Sequence, residues 1–271
     1  MALRLPAAAL ETTVFDIVAA PMQELVGAGA KAAASPAEVA AACDVVGICV
    51  QTDAQVRAVI GGEDGLLAGA KPGLVIVIHS TILPSTAVAM NDLAEKQGVL
   101  VVDACVSGNT RSADVKFKLY VGGEAARVEA IRPYLTAIAE DRVIHVGPLG
   151  SGCKAKICLN LVTYLQWLAA FEGSMLARGA GLGIEMFEQV GRSNGQLTDM
   201  MCAYLAAHKL PEAALKSEAY QNYVVTQMHN AEKDLACALD LARDAGVALP
   251  GAALVSQLMA RIYLIDDPKR R

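Results

Sequence analysis

Short apolar runs alternate with helix-type segments along the first half of the chain. The middle runs are continuously apolar, which is typical of parallel strands whose sheet is covered by helices on both faces. Helix signals lie between the runs: Ser35 can cap a helix, Pro36 suits its first turn, and Glu38 can complete a capping box. The alternation predicts an α/β fold with a doubly wound parallel sheet. The predicted strands are residues 12–15, 45–50, 74–78, 99–102, 119–121 and 143–146.

The pattern changes after Gly152. Residues 153–265 show no convincing strand and three or more long helical stretches. The first stretch, residues 153–179, carries apolar residues around much of its circumference, which predicts a helix enclosed by its own domain and by another subunit. We therefore predict an α/β domain over residues 1–148 and an all-α domain over residues 149–271, which begins with a long interdomain helix. We also expect a homodimer or homotetramer.

Asp16 closes the first apolar run and precedes a helical segment. An acid at this position is typical of a Rossmann-like dinucleotide-binding unit, where the carboxylate accepts hydrogen bonds from the adenosine ribose. The Gly-x-Gly-x-x-Gly turn of such a unit lies about 20 residues before the acid. Counting back from Asp16 places that turn upstream of Met1. We therefore expect the first strand and its glycine turn to be missing, which makes the nucleotide-binding domain incomplete.

Composition and charge narrow the function classes. A net charge of -5 and a pI near 5.4 argue against nucleic acid as a partner. The longest nearly uncharged run, residues 157–171, is shorter than the roughly 20 residues that a membrane span needs. The seven scattered cysteines suit reduced thiols in the cytoplasm. The sequence lacks the His-Glu-x-x-His spacing, so we expect no metal site. The first ten residues resemble a signal peptide, but their apolar stretch is short and is interrupted by Arg4 and Pro6, so we do not expect them to act as one.

Lys156 and Asn160 are candidates for chemistry because they lie four residues apart in the first predicted helix after the α/β domain. This spacing places an ammonium and an amide on one helical face, one turn from each other. Together they could hold and protonate a carbonyl oxygen. The spacing alone is equally consistent with a solvated helix face.

Ser107, Gly108 and Asn109 follow a predicted strand, where small residues can expose backbone N–H groups to a bound carboxylate. An ordinary loop is the alternative. Thr81 occupies a similar strand-end position and could contact a cofactor or cap the next helix. We interpret His79 as a strand-end histidine satisfied by the backbone and the Lys233-Asp234 pair as a surface ion pair.

Together these segments resemble the β-hydroxyacid dehydrogenase family, which includes 3-hydroxyisobutyrate dehydrogenase and tartronate semialdehyde reductase. The resemblance runs from Met1 to about Leu264. It depends on the order and spacing of four motifs. These are Asp-Ala-Cys-Val-Ser-Gly at 103–108, Gly150-x-Gly152-x-x-x-Lys156-x-x-x-Asn160, Ser-Thr at 80–81 and Lys-Asp-Leu at 233–235.

The resemblance implies reversible hydride transfer between NAD(P) and a small 3-hydroxy acid, which the enzyme interconverts with its semialdehyde. Lys156 would be the general acid/base and Asn160 would orient the substrate. The implied substrate-binding residues are Ser107, Gly108 and Asn109, and the implied cofactor-binding residues are Asp16, Val50, Gln51, Thr81 and Lys233. The carboxylate of Asp16 favours NAD, with NADP possible, because it would repel a 2′-phosphate.

Several positions depart from the family pattern. Asn109 stands at the position of the family's second glycine, Cys105 at that of a proline, and Leu159 at that of the first of two asparagines. Two alternative functions follow from the same residues. One is a truncated, non-catalytic relative that acts through its helical oligomerisation domain. The other is a different reductase on the same scaffold, such as an imine reductase, although imine reductases usually lack a lysine at the position of Lys156.

Overall fold

The computed structural model describes residues 1–108 and 116–267. The chain divides into two compact units, Met1–Lys156 and Ile157–Arg271, which we call the α/β unit and the helical unit. This division falls inside the long helix Ser151–Gly179. The predicted boundary at residues 148/149 lies in the loop before that helix and stays a prediction.

The α/β unit alternates strands and helices as the apolar pattern indicates. Apart from one 3₁₀ helix (Glu95–Gln97), its elements are α1 (Arg4–Ala7), β1 (Thr13–Val14), α2 (Ala19–Gly27), β2 (Lys31–Ala32), α3 (Pro36–Ala42), β3 (Val45–Ile48), α4 (Asp53–Gly61), α5 (Leu66–Gly69), β4 (Val75–Ile78), α6 (Pro84–Ala94), β5 (Leu100–Ser107), β6 (Lys118–Gly122), α7 (Ala125–Ala130), α8 (Arg132–Ala139) and β7 (Val143–Gly147).

The strands form two sheets. Five of them pair in the order β3-β4-β5-β6-β7, while β1 and β2 pair only with each other among the described residues. The neighbours β3, β4 and β5 are parallel, so their carboxyl ends meet at one edge. That edge is where an open α/β sheet binds its ligands.

The pairing of β5 with β6 is antiparallel, which corrects the wholly parallel arrangement that the sequence pattern predicted. A parallel return needs a crossover of a dozen or more residues. Only residues 108–117 separate the two strands, so the chain comes back directly beside β5.

All six predicted strands are present with shifted ends, and β2 is an addition. Its two residues, Lys31 and Ala32, are exposed and lack an apolar run, so the pattern gave no signal. Ser35 caps α3 as predicted, accepting a hydrogen bond from the backbone N–H of Glu38 at 3.2 Å. The Glu38 carboxylate accepts from the backbone of Ala34, one residue before the position that a capping box requires.

Two aliphatic clusters cover the two faces of the five-stranded sheet. On β5, Val102 and Ala104 belong to the cluster that includes α8, whereas Val101 and Cys105 belong to the opposite cluster. This alternation assigns each β5 side chain to one face.

The helical unit contains no strand among its described residues. Helix α9 (Ser151–Gly179) enters it from the α/β unit, and the helices that follow are α10 (Ile184–Ser193), α11 (Asp199–Leu205), α12 (Glu212–Leu215), α13 (Glu218–Ala245) and α14 (Pro250–Ile262). Buried residues of α9, α13 and α14 form one core. None of the described helices is long and apolar enough to cross a membrane. All seven cysteines are free thiols.

Candidate active site

A buried carboxylate fixes the start of helix α9. Asp103 lies in β5 and is 0% exposed. Its Oδ1 accepts a hydrogen bond from the backbone N–H of Gly150 at 2.7 Å, and its Oδ2 accepts one from the N–H of Cys153 at 2.7 Å. Burial raises the pKa of Asp103, and these two hydrogen bonds oppose that shift. The first N–H groups of a helix have no partner within it, so this acid satisfies two of them from outside.

Two glycines let the helix lie directly on the strands. A Cβ added to Gly122 would lie 2.3 Å from the Asp103 carboxylate, and one added to Gly152 would lie 2.3 Å from the carbonyl oxygen of Tyr120. Any side chain at either position would push the helix away. The two glycines and Asp103 therefore determine where α9 begins.

The same face of β5 carries Asp103, Cys105 and Ser107, because alternate residues of a strand share a face. Asp103 contacts the first turn of α9, and the Sγ of Cys105 lies 3.8 Å from that of Cys153. Ser107 is the next residue on this face and is half-buried.

Lys156 follows Cys153 by three residues and so lies on the same side of α9. It is half-buried and is the last residue of the α/β unit. Ser107 and Lys156 therefore lie on β5 and α9, the two elements that Asp103 joins.

Asn160 lies one turn after Lys156 and belongs to a hydrogen-bonded network within the helical unit. Its Nδ2 donates to Oδ2 of Asp234 at 2.6 Å, and the hydroxyl of Tyr164 donates to the same oxygen at 3.0 Å. The Nζ of Lys233 donates to Oδ1 of Asp234 at 2.6 Å. Because the Asn160 amide nitrogen is held by a carboxylate, its Oδ1 is directed away from Asp234 as an acceptor.

The network corrects the interpretation of Lys233 and Asp234 as a surface ion pair. The side chain of Asp234 is 8% exposed and that of Lys233 is 22% exposed. Burial raises the pKa of Tyr164 well above its usual value, and the charge of Asp234 raises it further, so the phenol stays a donor. One pattern in the sequence indicates that Asp234 is buried. It lies on the apolar stripe that Ala231, Leu235 and Ala238 form on α13.

The residues predicted to bind the cofactor lie at strand ends. Val50 and Gln51 follow β3, and Thr81 follows the adjacent, parallel β4. Ser80 ties the two ends together, because its Oγ accepts the N–H of Val50 at 2.9 Å. The N–H of Gln51 donates to Oε1 of Gln55 at 2.8 Å and so serves to cap α4.

Asp16 is exposed two residues after β1, where its Oδ1 accepts the N–H of Val18 at 2.8 Å. An exposed carboxylate after a strand and before a helix has the chemistry that a ribose needs, since ribose hydroxyls donate. Together with the hydroxyl of Thr81, this donor and acceptor set fits the nucleoside part of a dinucleotide. Among the described residues no Gly-x-Gly-x-x-Gly turn joins a strand to a helix. Asn109 lies outside the described residues.

The interpretation of His79 is confirmed. Its Nδ1 lies 2.7 Å from the carbonyl oxygen of Ala104, and its Nε2 lies 2.8 Å from the hydroxyl of Tyr134. The carbonyl can only accept, so Nδ1 carries the proton and Nε2 accepts from the phenol. Burial lowers the pKa of His79 to about 4, which keeps the ring neutral and structural. Among the described residues no cluster could hold a metal ion.

Comparisons with known proteins agree with this geometry over both units. Residues 1–147 match the family described as the NAD binding domain of 6-phosphogluconate dehydrogenase. Residues 150–265 match the family described as NAD-binding of NADP-dependent 3-hydroxyisobutyrate dehydrogenase. The first match covers the strand ends that carry the predicted cofactor residues, and the second covers the helices that carry Asn160, Lys233 and Asp234.

Relatives are similar over nearly the whole chain. An uncharacterised oxidoreductase of Mycobacterium tuberculosis is 34% identical over 257 residues, 94% of this chain and 86% of the relative. The 2-(hydroxymethyl)glutarate dehydrogenase of Eubacterium barkeri is 31% identical over 260 residues, 95% of this chain and 83% of the relative. A solved structure of M. tuberculosis 3-hydroxyisobutyrate dehydrogenase with L-serine is 27% identical, has a TM-score of 0.77, and covers 97% of this chain and 89% of its own. Since the matches span both units, the chain belongs to the β-hydroxyacid dehydrogenase family of NAD(P)-dependent oxidoreductases.

Proposed function

We propose that this oxidoreductase interconverts a small 3-hydroxy acid and its semialdehyde, with Lys156 as the general acid/base. The observation that carries the proposal is the anchoring of α9 by Asp103, because it joins the helix that contains Lys156 to the strand that ends in Ser107. The relatives named for 2-(hydroxymethyl)glutarate and 3-hydroxyisobutyrate support a hydroxy acid as the substrate.

Each residue has a distinct task in this proposal. The hydroxyl of Ser107 and the backbone at Gly108 hold the substrate carboxylate. In the oxidation direction, neutral Lys156 accepts the hydroxyl proton, and the C–O single bond becomes a carbonyl as hydride leaves carbon. In reduction, the Lys156 ammonium stabilises the negative charge that grows on the carbonyl oxygen and then donates its proton to it. Asn160, whose amide nitrogen also donates to Asp234, would donate its second amide hydrogen to the same oxygen.

NAD(P), when bound, accepts or supplies the hydride. Asp16 would hold the adenosine ribose, and Thr81 with the backbone at Val50 and Gln51 would line the cofactor. Lys233 is the further residue that we assign to cofactor binding. The carboxylate of Asp16 favours NAD, because a 2′-phosphate beside it would be repelled.

The test replaces Lys156 and measures NADH formation from 3-hydroxyisobutyrate at saturating NAD. General acid/base help is typically worth about 10²–10⁴-fold, so we expect Lys156→Ala to lower kcat by about that factor while NAD affinity stays unchanged. Lys154→Ala is the matched control, since Lys154 is exposed on the same helix and lies two residues from Lys156, away from its face. Unchanged turnover in Lys156→Ala would remove this lysine from the mechanism.

We also propose that the chain assembles as a homo-oligomer through its helical unit. Large apolar side chains are exposed there, among them Leu176 at 76%, Leu254 at 57% and Val190 at 52%. Exposed apolar groups of this size favour contact with a second copy. Sedimentation of the purified chain measures the outcome, and a monomer at micromolar concentration would contradict it.

A further inference from the structure

Lys118 is a charged residue that has no role in the proposed acid/base chemistry. It is the first residue of β6 and is exposed. In the antiparallel register of β5 and β6, Lys118 is the direct partner of Ser107. Residues paired in this way place their side chains on the same face of the sheet, with Cβ atoms about 4.5–5.5 Å apart.

Three successive cross-strand pairs identify that face. Asp103 pairs with Gly122, Cys105 with Tyr120, and Ser107 with Lys118. The first pair lies against the start of α9, since a Cβ on Gly122 would meet both the Asp103 carboxylate and the backbone of Ser151.

The opposite face of the same strands is apolar. Phe117, Leu119 and Val121 are buried there in the cluster that includes α8. Lys118 is therefore on the α9 side of the sheet, at the strand end where Ser107 lies.

We propose that Lys118 binds a second carboxylate of the substrate, so that the preferred substrates are 3-hydroxy dicarboxylic acids. This inference rests on the proposed function, in which Ser107 and Gly108 hold the first carboxylate. A lysine ammonium is a point charge on a flexible four-carbon stem, so it can follow the far end of an extended acid. Within residues 1–108 and 116–267, Lys118 forms no ion pair with a carboxylate.

The charge balance of this strand end favours an anion. Lys116 is also exposed and precedes Lys118 by two residues, so it repeats the positive charge along the same side of the chain. A monocarboxylate held by Ser107 would have no second anionic group for Lys118. A dicarboxylate of suitable length would engage Ser107 and Lys118 together.

The test compares binding of glutarate and pentanoate to the full chain by calorimetry. These probes have equal carbon number and differ in the second carboxylate. Exposed ion pairs contribute modestly, so we expect glutarate to bind about three- to fivefold more tightly than pentanoate. Lys118→Met should abolish this preference and leave pentanoate affinity unchanged, while Lys154→Met should retain it. At about 1 M salt, where the screening length is about 3 Å, the preference of the wild type should shrink.

Three results would overturn the assignment of Lys118: equal affinity for both probes, a preference that survives in Lys118→Met, or binding of neither probe. Hydride transfer tests the proposed function separately. If 3-hydroxyisobutyrate is oxidised in a Lys156-dependent way while the glutarate preference ignores Lys118, only the present inference fails. If glutarate binds through Lys118 and no hydroxy acid is oxidised, the proposed function fails instead.

Discussion

Replacing Asp234 by asparagine tests the network that holds Asn160. The substitution keeps the shape of the side chain and removes its charge. In the native chain three donors converge on this carboxylate, with distances of 2.6 Å from Lys233, 2.6 Å from Asn160 and 3.0 Å from Tyr164. Two of the donors share Oδ2 and the third uses Oδ1. An amide offers only one acceptor oxygen, so one donor must lose its partner.

The loss in free energy of unfolding depends on which of the three donors is left without an acceptor. If the amide oxygen takes the position of Oδ2, Asn160 and Tyr164 keep an acceptor, but each loses the charge-assisted part of its bond, about 1 kcal/mol. The amide nitrogen then faces the ammonium of Lys233, where two donors meet. Removing one member of a fully buried ion pair costs about 3–5 kcal/mol. Lys233 is 22% exposed and can turn to water, which reduces this contribution. We expect Asp234→Asn to lower the free energy of unfolding by about 2–4 kcal/mol.

Urea unfolding of four proteins measures the effect and its origin. Alongside Asp234→Asn, the single variant Lys233→Met and the double variant complete a double-mutant cycle. The double variant should be more stable than the sum of the single losses implies, because it removes the ammonium together with the carboxylate that it faces. Asp240→Asn is the matched control on α13, since its pair with Arg243 is half-exposed and should be worth less than about 0.5 kcal/mol. A loss for Asp234→Asn as small as that of the control, or strict additivity in the cycle, would refute the reasoning.

Two further predictions concern the α/β unit. His79 has its pKa lowered to about 4 from 6.5, so its contribution to stability is fully present above pH 6.5 and is lost as pH falls towards 4, by about 3 kcal/mol in total. The free energy of unfolding should therefore fall more steeply between pH 7 and about 4.5 in the wild type than in His79→Gln, and parallel curves would contradict this. Gly122→Ala should lower the thermal midpoint sharply, because its Cβ would lie 2.3 Å from Asp103 Oδ1 and 2.8 Å from the backbone nitrogen of Ser151. Gly179→Ala, which meets nothing within 4 Å, is the control, and an equal midpoint shift in both variants would show that close packing is not the cause.

Much of the fold could be predicted from the sequence because it depends on local patterns. Continuous apolar runs identify buried strands such as β4 (Val75–Ile78), and a Ser-Pro pair identifies the start of α3. The antiparallel turn of β6 was missed because apolarity along a strand does not encode its direction. Strand β1 was predicted, but its partner β2 was missed, because two residues with exposed side chains show no apolar periodicity.

The site was predictable only where its residues lie close in sequence. Lys156 and Asn160 share one helix, so their spacing reveals their common face. The partners that position them come from far along the chain: Asp103 reaches Cys153 across 50 residues, and Asp234 reaches Asn160 across 74. Neither contact can be predicted from residue spacing, because each joins two elements that are far apart in the sequence and meet only through tertiary packing.

The two buried acids act on α9 in chemically different ways, and this difference determines which neighbours they constrain. Asp103 accepts the backbone N–H groups of Gly150 and Cys153, so it fixes the path of the helix backbone at its start. Asp234 accepts from the side chains of Asn160 and Tyr164, so it requires donors at those two positions. In the proposed function, the general acid/base Lys156 needs a helix that starts at a fixed point, whereas the amide of Asn160 needs a fixed orientation. Hydrogen bonds from the backbone to Asp103 fix the start of the helix, and the side-chain hydrogen bond to Asp234 fixes the orientation of the amide. Asp103 belongs to the α/β unit and Asp234 to the helical unit, so each unit provides the acid for its own part of α9.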